Sequence, residues 1–168
     1  VVRKVDTSGI ITTFAGNHGH SHAGDGGAAD LAGSRTPYGL AIDSYGSTFI
    51  SDYGSNYVRK VDSNSTITTV SGSSVHTPKG VAIDAAGNLY VVTERYNAIY
   101  KITPNGTKTV FAGGGSITAQ GSGHLASQAV LSGPDNLVSD SKGHLYSPED
   151  ALNLVRQVDT TGILPTYA

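Results

Sequence analysis

Pro37-Tyr38-Gly39-Leu40-Ala41-Ile42-Asp43 returns downstream as Pro78-Lys79-Gly80-Val81-Ala82-Ile83-Asp84, and again, loosened, as Pro134-Asp135-Asn136-Leu137-Val138-Ser139-Asp140. Three residues after each aspartate stands a glycine (Gly46, Gly87, Gly143), then a short apolar run. A segment of the type Val58-Arg59-Lys60-Val61-Asp62 follows. It recurs as Val2-Arg3-Lys4-Val5-Asp6, Ile99-Tyr100-Lys101-Ile102-Thr103 and Val155-Arg156-Gln157-Val158-Asp159. Self-similarity at about 40 residues, built from four short strands per unit, predicts an all-β chain folded as a β-propeller.

Residues 36–72 read as one blade. Gly39 to Asp43 makes strand a, whose apolar Leu40-Ala41-Ile42 suits an inner strand covered on both faces. Strand b centres on Phe49 and Ile50, and strand c runs from Tyr57 to Asp62 around the charged pair Arg59-Lys60. Strand d, Thr66 to Val70, is rich in β-branched residues, which favour a pleated edge. Residues 77–113 and 132–168 repeat the plan, while residues 1–16 match only strands c and d. The reading is a single domain over 1–168 with about three and a half four-stranded blades. Long linkers occupy residues 17–35 and 114–131. In the last repeat Asn136 replaces the glycine and Pro148-Glu149-Asp150 is expected to interrupt strand b.

Composition excludes several classes. Glycine occurs 22 times and charged residues make up only 14%, which suits many tight turns. The net charge of −2, from 11 basic and 13 acidic residues, gives no positive field for nucleic acid. No apolar run approaches the ~20 residues of a membrane-spanning helix. With no cysteine, thiolate chemistry and disulfides are absent.

Pro-x-Gly-φ-Ala-φ-Asp, then Gly-x-φ-Tyr-φ, then Asn before φ-Arg/Tyr-Lys-φ, where φ is apolar, resembles the NHL repeat. Ile10-Ile11-Thr12-Thr13-Phe14-Ala15-Gly16-Asn17 and Gly24-Asp25-Gly26-Gly27 resemble the extracellular and bacterial NHL branch. The resemblance implies the fold and leaves activity open, since such propellers serve as lyases, sensors, RNA binders and interaction platforms. It also leaves two open sides, because known propellers close a ring of about four to eight blades. Either further blades in a longer chain complete the ring, or copies of this unit cover each other's ends, closing into a ring or growing into a filament.

Antiparallel strand order puts turns a–b and c–d on one face of the disc and connections b–c and d–a on the other. Asn64-Ser65-Thr66 and Asn105-Gly106-Thr107 fit the N-glycosylation pattern at the same c–d turn of consecutive repeats. As simple turn formers, Asn and Gly would occupy the same places. On the opposite face, His18, His20 and His22 alternate and Asp25 follows, a pattern able to offer nitrogens and a carboxylate to a divalent metal such as Zn²⁺. A solvated glycine-rich loop reads the same way. The b–c connections bring Tyr53, Glu94, Arg95 and Tyr96 to a binding face. Asp52, Asn56, Asn97 and Asn153 are expected to cap turns, and Asp43, Asp84 and Asp140 to hold the a–b turns. No Ser-His-Asp order and no phosphate loop with lysine is present.

The expected function is that of a non-catalytic extracellular glycoprotein, a structural scaffold for protein or carbohydrate partners, joined to further blades or homotypic copies. No cofactor is required. The alternative is part of a metal-dependent propeller enzyme, lyase or lactonase-like, using the histidine loop and channel carboxylates.

Overall fold

The computed structural model describes residues 1–19, 21–71, 75–117 and 123–165. Its strands are β1 (Val2–Val5), β2 (Ile11–Ala15), β3 (Pro37–Ile42), β4 (Thr48–Asp52), β5 (Tyr57–Val61), β6 (Ile67–Ser71), β7 (Pro78–Ile83), β8 (Leu89–Thr93), β9 (Ala98–Ile102), β10 (Lys108–Gly113), β11 (Val138–Ser139), β12 (Leu145–Glu149) and β13 (Leu154–Val158). They form four antiparallel meanders: β1-β2, β3-β4-β5-β6, β7-β8-β9-β10 and β11-β12-β13. The fold is a partial β-propeller.

Six turns share one device that explains why the meanders form. At Asp6, Asp43, Asp62, Asp84, Asp140 and Asp159 one carboxylate oxygen accepts the backbone N–H groups two and four residues ahead. At the seventh turn Asn105 accepts the amide of Thr107. The aspartates expected to hold the a–b turns do so.

Apolar residues alternate along the strands, so the two four-stranded sheets pack against a neighbour on each face, the end sheets on one, and a separate core fills every gap between neighbours. Val2, Ala15, Ile50, Val61 and Ile67 join the first hairpin to the next sheet. Phe49, Val58, Val81, Leu89, Val91 and Ile102 fill the central gap. Tyr90, Val92, Ile99, Leu137, Leu145 and Val158 fill the third. The inner strands approach so closely that a Cβ at Gly80 would stand 2.6 Å from the Asn136 backbone, which is why that repeat position is glycine.

Two expectations need correction. Strand b of the last repeat runs through Pro148 to Glu149 without interruption, pairing Pro148 with Val155 and Glu149 with Leu154. Among the described residues this sheet has three strands rather than four, and Ile163 bridges Leu125 instead. The long linkers explain that bridge. Each lays its 3-10 turn (Ala29–Leu31, Ala126–Gln128) against the outer edge of the following sheet. Ile67 donates to the carbonyl of Gly27 and Gly26 donates to that of Ile67, while Leu164 donates to His124 in the same way. The linkers thus extend the blade edge and cover it.

Among the described residues the first hairpin has no inner strands beside it, and Leu40 and Ile42 of β3 are 53% and 67% exposed despite lying on the packing face of their sheet. At the other end Val138 and Val155 are also uncovered.

Candidate functional site

The position after the repeat's proline places Tyr38, Lys79 and Asp135 at the entrance of three neighbouring inner strands. The b–c connections add Tyr53 and Glu94, and one network results. The Lys79 ammonium lies 2.6 Å from Asp135 and 3.0 Å from Glu94, and 5.7 Å from the centre of the Tyr38 ring. Tyr38 donates its hydroxyl to Asp135 at 2.8 Å, and Tyr53 donates to Glu94. Three blades are thereby tied together at the channel mouth through one cation, two carboxylates and two phenols.

Each group shifts the others. The hydrogen bond to Asp135, opposed by burial and reinforced by Glu94, holds the Lys79 ammonium well above the ordinary lysine value. The Lys79 hydrogen bond holds Asp135 below the usual carboxylate range. Glu94 is lowered by the Tyr53 hydroxyl first and then by Lys79. Tyr38 and Tyr53 are raised by donating to those carboxylates. Lysine stays charged and both carboxylates stay ionised near neutrality, so this set is a charge-paired surface.

Of the four residues anticipated on this face, the structure brings Tyr53 and Glu94 into the network. Arg95 and Tyr96 form a neighbouring stack, with the Arg95 guanidinium 5.9 Å from the Tyr96 ring centre and His76 edge-on to the same ring at 5.7 Å. Sequence reading missed Lys79 and Asp135. Their shared register with Tyr38 in the Pro-x-Gly motif was the available signal. Asp52 accepts the amides of Arg35 and Thr36, and Asn56 accepts that of Thr77, so both act as caps. Asn56, Asn97 and Asn153 all adopt left-handed backbone at φ 61°, 45° and 53°.

The histidine loop is arranged otherwise. His20 lies outside the described residues. His22 packs its ring 4.9 Å from Tyr57. His18 is an exposed residue with left-handed backbone at φ 64°. Asp25 is 2.7 Å from the buried Arg59 guanidinium and accepts the Thr69 amide. Burial pushes its carboxyl up, but the bonds from Thr69 and Arg59 outweigh that and leave it lowered. Among the described residues no three His, Cys, Asp or Glu side chains converge as metal ligands. Asn64 and Asn105 are both exposed at c–d turns, on the face away from the network.

A family model described as the Teneurin NHL domain matches residues 19–79. Teneurin-1 of Homo sapiens is 43% identical over 54 residues, covering 32% of this chain and 2% of that protein, and Teneurin-1 of Gallus gallus gives the same figures. Among solved structures, virginiamycin B lyase from Staphylococcus aureus superposes with a TM-score of 0.63 at 16% identity. That match covers 98% of this chain and 47% of the lyase. The chain is an NHL-repeat β-propeller. A gluconolactonase from Xanthomonas campestris (TM-score 0.63, 16% identity, 80% of this chain, 48% of that one) shares the fold. So does a chain of the nidogen/laminin complex (TM-score 0.59, 17% identity, 76% and 45%). At such identities the structural likeness concerns the fold alone.

Proposed function

We propose that this NHL propeller is a non-catalytic, extracellular interaction scaffold. It binds protein or carbohydrate at its channel mouth, carries N-linked glycans at Asn64 and Asn105 on the opposite face, and joins further blades or copies of itself through its open ends. The observation that carries the reading is the Lys79 network. Its polar groups already satisfy one another across three blades, and rigid phenols and the Arg95–Tyr96 stack surround it. Tyrosine and arginine are enriched among residues that carry binding energy, and a preorganised surface loses less entropy on association. Similarity to the teneurin NHL domain supports the assignment, as does the pair of sequons at matched turns.

Light scattering and intact mass of the protein from its source, before and after enzymatic deglycosylation, test this reading. The expected result is glycan mass at both asparagines and a polypeptide particle heavier than 17.2 kDa. A solitary, sugar-free particle of that mass, or a stoichiometric divalent metal retained through purification, overturns it.

A further inference from the structure

We infer that the groove between sheets β3–β6 and β7–β10, on the face away from the Lys79 network, seats the innermost sugar of a glycan on Asn105, with the Tyr45 ring as its platform. The inference rests on the proposed glycosylation and names what one of the two glycans touches.

The groove is about 370 Å³, within the ~300–1,000 Å³ range of small-ligand sites. One wall carries Tyr45, on the a–b turn that follows β3. The other carries Pro104 and Gly106, the two chain neighbours of Asn105 in the turn between β9 and β10. Phe49 and Leu89, both buried, also line it. The sequon and the tyrosine therefore face each other across one space, contributed by different sheets.

Asn105 is oriented to carry a sugar in the folded chain. Its Oδ1 accepts the Thr107 amide and the Thr103 hydroxyl, so the turn uses the oxygen. Nδ2, the atom that bears an N-linked sugar, makes no hydrogen bond among the described residues, and the residue is exposed. Tyr45 is 85% exposed, more than any other large apolar or aromatic residue described, and it enters no ring stack or hydrogen bond among the described residues. The turn does not require it, since the following repeats place Ala86 and Lys142 at that position. The negative face of an aromatic ring attracts weakly positive C–H groups, and a pyranose presents such groups on its apolar face.

The next groove supplies the contrast. Between β7–β10 and β11–β13 the equivalent space is about 450 Å³, with Ala86 on its wall and Thr160 opposite. Ala86 stands there for Tyr45 and Thr161 for Asn105. The exposed ring and the sequon thus occur together across one groove and are both missing from the other. Among the described residues no a–b turn of a preceding sheet stands opposite Asn64, which makes that site the internal reference.

The test keeps the glycosylated chain folded and follows by mass the release of sugar from each asparagine by a peptide N-glycosidase. Tyr45→Ala, at an exposed position, is expected to speed release at Asn105 at least threefold and to leave Asn64 unchanged. Tyr45→Phe, which keeps the ring, is expected to retain the wild-type rate at both. Proton NMR should show the innermost sugar of Asn105 shifted upfield by the ring, and the shift should vanish in Tyr45→Ala. Equal release at Asn105 with and without the ring, or faster release at both asparagines, overturns the inference while the glycoprotein reading stands. Sugar missing from Asn105 overturns the inference together with that part of the proposed function.

Discussion

Arg59 illustrates what a single residue conceals. In sequence it stands beside Lys60 as a charged pair of an outer strand, yet its side chain is almost fully buried, donating to the carbonyls of His22 and Gly33 and to Asp25. Periodicity reports which face a strand residue takes. It does not report that a linker will fold over that face, because the linker is irregular and has no period. Asp52 was legible as a cap because it recurs in register, and its energetic weight follows from burial. It is fully buried and holds the amides of Arg35 and Thr36 at 3.0 and 2.8 Å, together with the Ser55 hydroxyl. Asp52→Ala removes the buried acceptor of those amides and is expected to cost about 1–3 kcal/mol in urea unfolding, with Asp52→Asn recovering about half. A loss below about 0.5 kcal/mol would mean water replaces the carboxylate and the capping role is minor.

At the scale of elements, the strands of the two complete blades were legible to within a residue or two, because apolar alternation and Asp-x-x-Gly turns bound each one. The last blade was not. Its third-repeat proline looked like a break, but the middle strand β12 continues through it, paired with Val155 of β13 and lying beyond the two residues that β11 contributes on the other side. Ties between blades were also hidden, since they depend on which inner strands are neighbours. The Lys79 network gives such a tie a pH signature. Folded Glu94 and Asp135 sit below their ordinary values of 4.5 and 3.8, so their contribution is complete above about pH 5 and is lost as acid titrates them. Lys79 is raised above 10.5, so its contribution persists through neutrality and fails only in strong base. These groups are partly solvated, and salt screens them. Lys79→Met is therefore expected to lower the melting temperature by roughly 1–3 °C between pH 6 and 9, with the difference from wild type shrinking below pH 4. Melting curves across that range check it; a difference that grows in acid contradicts the pairing.

For the whole molecule, stability is expected to be graded rather than uniform, as in other stacked repeats where each unit leans on its neighbours. The central gap lies between two four-stranded sheets and holds Val58 and Val91 with no exposure at all. The first hairpin has two strands, and Val5, Ile10 and Ile11 on its outer side are 55% to 60% exposed. A two-stranded unit is marginal on its own and depends on the single face it shares with β3–β6. Hydrogen exchange should therefore proceed fastest in β1 and β2, next in β11–β13, and slowest in β4, β5, β8 and β9. Val91→Ala should cost about 2–4 kcal/mol and accelerate exchange throughout β3–β10, whereas Val5→Ala should change the midpoint by less than about 0.5 kcal/mol. Uniform protection of all four sheets would mean that the chain unfolds as one unit and that its end sheets carry no local weakness.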